Sequence, residues 1–229
     1  MNELVVVSRY REDISWVQGS KHPFIIYDKS EVPLDITIPR PNTGREAETL
    51  LHYIITHYER LPDITIFLQG DPRGNPPVIP YETILQGINT PHAPIYMPFI
   101  DALNISKPDF VSTMWELKPY NYEVALEITA LLRGLFNITE YDKPVLYPTG
   151  VECILPKENI LGRPLEFYKL LHERSFLSGT RSWHWCDPND LQKRVQFRKY
   201  GISAYAFEPL WGAIFNPEIK INKNYKELI

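Results

Sequence analysis

Residues 42–71 read NTGREAETLLHYIITHYERLPDITIFLQGD, and this stretch decides the fold. Ala47, Leu50, Leu51, Ile54, Ile55 and Tyr58 recur at three- and four-residue spacing, which places them on one face of an α-helix with polar residues at its entrance. Leu61-Pro62-Asp63 ends that helix. Ile64–Leu68 then forms a short apolar run that halts at Gln69-Gly70-Asp71-Pro72, the signature of a buried strand. Upstream, Leu4–Ser8 is a similar run stopped by charge, Asp13–Gln18 a short helical segment, and Phe24–Tyr27 a brief strand ending in Asp28-Lys29-Ser30. Strand, helix and strand in this order make a βαβ unit, and a parallel sheet with right-handed crossovers is the expected result.

Further along, the pattern is less regular. Helices are predicted over Tyr81–Gly87, Tyr122–Phe136, Leu165–Ser175 and Leu191–Lys199, strands over Phe110–Glu116 and Val151–Leu155, and an apolar stretch over Ala206–Phe215. The expected fold class is α/β, with a mostly parallel, mixed central sheet flanked by helices in one domain spanning residues 1–229. With 44% hydrophobic and 23% charged residues among 229, the chain has material for a sizeable core and is expected to be a soluble, ordered protein. A net charge of −4 with scattered basic residues argues against nucleic acid as a partner. No apolar stretch approaches a membrane span or signal peptide, so a cytoplasmic location is expected. Cys153 and Cys186 sit in contexts of neither a zinc site nor a disulfide scaffold, and two reduced thiols are expected.

In open α/β sheets, ligands sit outside the carboxyl ends of the strands. Three polar clusters fall there: Ser8-Arg9-Tyr10, Asp28 and Gln69-Gly70-Asp71. Asp71 at the end of a buried strand is placed to hold Mg2+ or Mn2+ against the phosphates of a nucleotide; an Asp that opens a turn before Pro72 would look the same. Asn42-Thr43-Gly44-Arg45 opens the long helix. Its free N–H groups and Arg45 would suit an oxygen-rich ligand, while helix capping by Asn42 or Thr43 is the plainer alternative. His52 and His57 lack the acidic partner of a zinc-protease motif and are expected to pack. His184, between Trp183 and Trp185, is a candidate late metal ligand or a packing residue. Glu208, ahead of Pro209 and Trp211, is either a desolvated general base or a structural carboxylate. Neither a phosphate-cradling GxxxxGK loop nor a GxGxxG fingerprint is present, and no GxSxG elbow supplies a serine nucleophile.

Taken together, VVVSRYREDISWV, PNTGREAETLLHYIITHYERLPDITIFLQGDP, GRPLEFYKLL and FEPLWGAIF resemble an uncharacterised domain-of-unknown-function group related to the GT-A glycosyltransferases. The resemblance spans roughly residues 4–215. It implies a single GT-A-like, Rossmann-like domain, with residues 1–100 as a nucleotide-binding half and 101–229 as an acceptor half. By position it assigns Ser8, Arg9, Tyr10 and Asp28 to the base and ribose of a nucleotide-sugar, and Asn42, Gly44 and Arg45 to the helix entrance beside it. Where such enzymes carry Asp-x-Asp for metal and diphosphate, this chain has Gln69-Gly70-Asp71. The last carboxylate is kept and the first is an uncharged amide, which puts the need for a divalent cation (Mn2+ or Mg2+) in question. Glu208 matches the base of inverting transfer, Trp211 and Tyr147 the acceptor wall. The resulting expectation is sugar transfer from a nucleotide-sugar donor to a carbohydrate or other hydroxyl acceptor. A non-catalytic carbohydrate- or nucleotide-binding module is the rival, favoured by Gln69, and a metal-dependent phosphate-ester hydrolase ranks last.

Overall fold

The computed structural model describes residues 2–71, 100–103, 131–138, 145–148, 152–175 and 204–227, and for 100–103, 145–148, 204, 205, 208 and 209 the backbone alone. Among the described residues there are seven strands: β1 (Glu3–Arg9), β2 (Phe24–Asp28), β3 (Ile38–Pro39), β4 (Ile64–Gln69), β5 (Ile100–Leu103), β6 (Val145–Pro148) and β7 (Cys153–Pro156). The described helices are α1 (Ser15–Gln18), α2 (Arg45–His57), α3 (131–136), α4 (Lys157–Leu161), α5 (Leu165–Ser175) and α6 (Ala204–Phe215).

Five strands form the main sheet in the order β3-β2-β1-β4-β7, and β5 and β6 pair separately. β1 lies parallel to β2, from Val5 opposite Phe24 to Arg9 opposite Asp28, and parallel to β4, from Glu3 opposite Ile64 to Ser8 opposite Gln69. β3 continues the parallel set on β2, whereas β7 runs antiparallel to β4. The chain steps outward from β1 to β2 and β3, and α2 then carries it back to β4 on the other side of β1. The strand order therefore reverses between β1 and β4, and it is at such a reversal that a crevice opens at the strand ends.

Both faces of the sheet are covered, and this explains the continuous apolar runs of β1 and β4. Side chains alternate in direction along a strand. Val6, Tyr27, Phe67, Cys153 and Leu155 thus meet α2, α5 and α6, while Val5, Val7, Ile26, Ile66, Leu68 and Ile154 meet Ile14, Trp16 and Val17 around α1. α2 packs on β1 and against α5 and α6, and α6 covers β6. The carboxyl end of α6 is held by the buried Arg163. Its guanidinium donates to the carbonyls of Ala213 (2.9 Å), Ile214 (2.7 Å) and Asn216 (2.8 Å), placing a cation where the helix has unpartnered acceptors and a negative dipole end.

Several sequence expectations shift. The first strand extends one residue at each end, the last begins at Cys153 and runs to Pro156, and the short helix begins at Ser15. β3 and the β5–β6 pair were not anticipated: Ile38–Pro39 is too short for any periodicity to show. Neither Asn42 nor Thr43 caps α2. The chain enters the helix through Gly44 at φ 60° and Arg45 at φ 50°, with no side-chain cap, and left-handed backbone makes the turn that a capping side chain would otherwise stabilise. Tyr81–Gly87, Phe110–Glu116, Leu191–Lys199, His184, Cys186 and most of Tyr122–Phe136 lie outside the described residues.

Candidate functional site

Parallel pairing sets the carboxyl ends of β2, β1 and β4 side by side. Ser8 lies between Tyr27 and Gln69, Arg9 lies opposite Asp28, and Tyr10, Gly70 and Asp71 follow directly. The three polar clusters expected at the strand ends are therefore neighbours along one edge of the sheet. α2 begins at the same edge, since the Ser8 hydroxyl lies 2.9 Å from Thr49 Oγ1 in its early turns.

Asp28 is wholly buried and its oxygens are turned into the protein. Arg9 Nη1 lies 2.5 Å from Oδ2, the N–H and hydroxyl of Ser30 donate to Oδ1 at 2.9 and 2.6 Å, and Leu34 N–H and the Thr37 hydroxyl donate to Oδ2 at 3.2 Å each. Burial pushes its pKa up, but the Ser30 and Leu34 hydrogen bonds and the Arg9 charge outweigh that and hold the carboxyl below its ordinary value. Asp28 thus organises the loop that follows β2 and fixes Arg9. A nearby hub does the same for the helix entrance. Lys29 Nζ lies 2.6 Å from Glu48 Oε2 and donates to the Thr43 carbonyl at 2.9 Å; Arg40 pairs with Glu48 Oε1, and His172 Nε2 of α5 lies 3.5 Å from the same oxygen. Burial would raise the Glu48 pKa, yet the His172 contact and the Lys29 and Arg40 cations pull it down to about 2. Burial first, and the Arg40 charge second, push His52 down to about 4, so it packs neutral against Tyr27, their rings 5.4 Å apart and edge-on.

The turn after β1 is closed by Glu12. Its carboxylate accepts the N–H of Tyr10 at 2.7 Å and of Arg11 at 3.1 Å, while Arg9 Nε donates to its carbonyl at 2.9 Å. The Tyr10 hydroxyl and the Arg11 guanidinium both turn to Glu31, at 3.0 Å and 2.7 Å. Gly70 leaves room for Glu12, since a Cβ there would sit 2.5 Å from Oε2 and push that carboxylate aside, and the Gly70 carbonyl accepts Trp16 Nε1 at 2.9 Å.

Asp71 is exposed at the end of this row, beside the half-buried Gln69. Among the described residues, no group of three or more His, Cys, Asp or Glu side chains is arranged to hold a metal ion. Asn42 is exposed, and Arg45 Nε lies 3.4 Å from Glu46 at the helix entrance. Trp211 is buried within the core, stacked between Phe207 at 4.9 Å and Phe215 at 5.5 Å. Tyr147 lies on β6, in register with Asp101, and Glu208 on α6, the helix that packs against β6; His184 lies outside the described residues.

Sequence reading missed Glu12, Lys29, Arg40, Glu48 and His172. Glu48 did leave a signal, since it sits seven residues before Ile55 and so borders the apolar face of Ala47, Leu51 and Ile54. Glu12 left none, because its role depends on the approach of Gly70 from another strand.

The chain is therefore an α/β protein with a mixed five-stranded sheet and a polar row along the carboxyl ends of its parallel strands, where the strand order reverses. It belongs to a family described as a protein of unknown function, DUF3431, which it matches over residues 4–227. No curated protein matches it. A solved structure of CMP:2-keto-3-deoxy-manno-octonic acid synthetase complexed with CTP is similar over 89% of this chain and 88% of that one, at 15% identity and a TM-score of 0.36. At that level the likeness carries no argument about activity. Among the described residues no helix is long and apolar enough to cross a membrane.

Proposed function

We propose that this chain is a glycosyltransferase of GT-A-like architecture that takes a sugar from a nucleotide-sugar donor. The observation that carries the reading is the polar row at the reversal point: Ser8, Arg9 and Tyr10 at the end of β1 and Gln69, Gly70 and Asp71 at the end of β4 lie where open α/β sheets bind nucleotides. The donor lies along this edge, its nucleotide against β1 and β2 and its diphosphate toward Asp71 and the α2 entrance at Asn42 and Arg45. One exposed carboxylate beside an amide oxygen fits a divalent cation that takes its remaining ligands from phosphate and water. Asp71, with Gln69 and, as a further ligand, His184, would hold Mn2+ or Mg2+, and the ion would offset charge on the leaving diphosphate.

Glu208 takes the proton of the acceptor hydroxyl as that oxygen attacks the anomeric carbon, opposite the departing phosphate oxygen, so the configuration inverts. Tyr147 borders the acceptor, and Trp211 supports that wall from the core behind it. Asp28 holds Arg9 in place through their ion pair rather than offering its own oxygens to the ribose.

The test is a panel of nucleotide sugars, with and without Mn2+, followed first as a rise in melting temperature and then as release of nucleoside diphosphate once acceptors are supplied. Asp71→Ala and Glu208→Gln are each expected to lower transfer by about 10²–10⁴-fold. Full transfer in both variants would refute these roles. Gln69, in the place of a first carboxylate, favours one rival, a module that binds the donor without turning it over. Binding without nucleotide release across the acceptor panel would establish that rival.

A further inference from the structure

We propose that the backbone N–H groups of Tyr10 and Arg11 form a seat for a phosphate group, and that Glu12 is a built-in occupant which the phosphate displaces. In taking the phosphate as part of a donor's diphosphate, this rests on the reading above. Recognition of the phosphate itself needs neither sugar nor turnover.

Two successive main-chain donors converge on one anionic oxygen, Glu12 Oε2, at 2.7 and 3.1 Å. Consecutive N–H groups turned to a single point make a concavity for oxyanions, and here it already holds one. The seat lies at the end of β1, next to β4, where the strand order reverses and a ligand crevice is expected. The room for the carboxylate comes from the residue that follows β4: the missing side chain of Gly70 lets Oε2 stay, since a Cβ there would stand 2.5 Å away.

The surrounding bonds let Glu12 leave without unravelling the turn. Arg9, itself fixed by Asp28, holds the Glu12 carbonyl, so the backbone stays while the side chain rotates out. The Arg11 guanidinium pairs with Glu31, their side chains 65% and 61% exposed, and lies over the Tyr10 ring at 4.9 Å from its centroid, both of them contacts at the surface. Such surface pairs contribute little, so Arg11 is available to swing onto an arriving phosphate. A phosphate brings more charge and more acceptor oxygens than the carboxylate it replaces, and it recruits Arg11, which Glu12 does not.

The experiment titrates the full chain with inorganic pyrophosphate and, separately, with nucleoside diphosphates by calorimetry, comparing the natural sequence with Glu12→Ala and Glu12→Gln. Removing a competing carboxylate from the seat is expected to tighten both ligands about tenfold in Glu12→Ala, with Glu12→Gln in between. Unchanged or weaker pyrophosphate affinity overturns the proposal, as does a gain confined to nucleoside diphosphates, which would mean that something other than the phosphate is being recognised. Should the variants fold poorly, amide NMR of the natural chain decides: the Tyr10 and Arg11 N–H resonances must move on adding pyrophosphate, and their standing still overturns the seat. Pyrophosphate binding at these amides with no glycosyl transfer leaves the seat intact while removing the enzyme reading. Donor binding that leaves the two amides untouched does the reverse.

Discussion

Glu48 ties together distant parts of the architecture, because two cations and a histidine from three other segments end on its two oxygens. Taking it away strands Lys29, a buried ammonium, and releases Arg40. Glu48→Ala is therefore expected to cost about 3–5 kcal/mol, read from denaturant unfolding. The pH dependence follows from the depressed carboxyl. Stability from this group is fully present above the ordinary carboxylate value of 4.5 and is lost as pH falls from there through about 2. The amount is about 3 kcal/mol. His52 adds to the loss at higher pH: it is held neutral down to about 4, whereas the unfolded chain takes up a proton near 6.5, so its share fades as pH drops across that window. Glu48→Gln should flatten the acid limb below 4.5 and leave the limb above it in place. An unchanged profile would mean that the cluster is not coupled to folding.

At the scale of elements, α6 depends on a residue that belongs to none of the helices. Arg163, between α4 and α5, supplies the donors for three carbonyls at the end of α6, and its own carbonyl accepts the Tyr58 hydroxyl at 2.5 Å. Arg163→Ala leaves those acceptors buried and unmatched, and a loss of about 3–5 kcal/mol is expected. Arg163→Lys should recover little of it, because one ammonium cannot reproduce the flat, forked arrangement of donors. Chemical denaturation of both variants checks this, and full recovery by lysine would show that charge alone suffices. The elements themselves were legible where one segment carries its own evidence. The Val5-Val6-Val7 run announces β1, and the spacing from Ala47 to Ile54 announces α2. What could not be seen was whatever depends on a distant partner. β7 has the same apolar look whichever way it points, and its antiparallel register on β4 is set by where the chain returns. The left-handed entry at Gly44 and Arg45 was hidden for the same reason, since Lys29, fourteen residues before Thr43, anchors that turn.

Over the whole molecule, the described core joins residues from both sides of residue 100. One contiguous cluster runs from Val6 through Phe67 and Phe167 to Trp211 and Tyr225, and β4 pairs directly with β7. Thermal unfolding followed by far-UV dichroism and by tryptophan fluorescence should give coincident single transitions. Two separated transitions would mean that the halves fold independently. The candidate site was legible in a matching way. Ser8, Arg9, Asp28, Gln69 and Asp71 could be chosen from the sequence because each ends a strand, and parallel pairing then makes them neighbours. Which of them face outward could not be chosen: Asp28 turns inward to Arg9 and Ser30, and the stacking of Trp211 on Phe207 and Phe215 follows from helical packing that spacing alone does not reveal.

The reversed direction of β7 also divides the later half of the chain by its distance from the polar row. Cys153 stands opposite Phe67, two residues before Gln69, while Pro156 stands opposite Ile64 at the far border of the sheet. β7 therefore starts at the border that carries the polar row, and polypeptide departing into α4 heads away from it. Lengthening or recomposing the approach to Cys153 would remodel whatever docks on that rim; the same change made just past Pro156 would be felt only by the opposite pole.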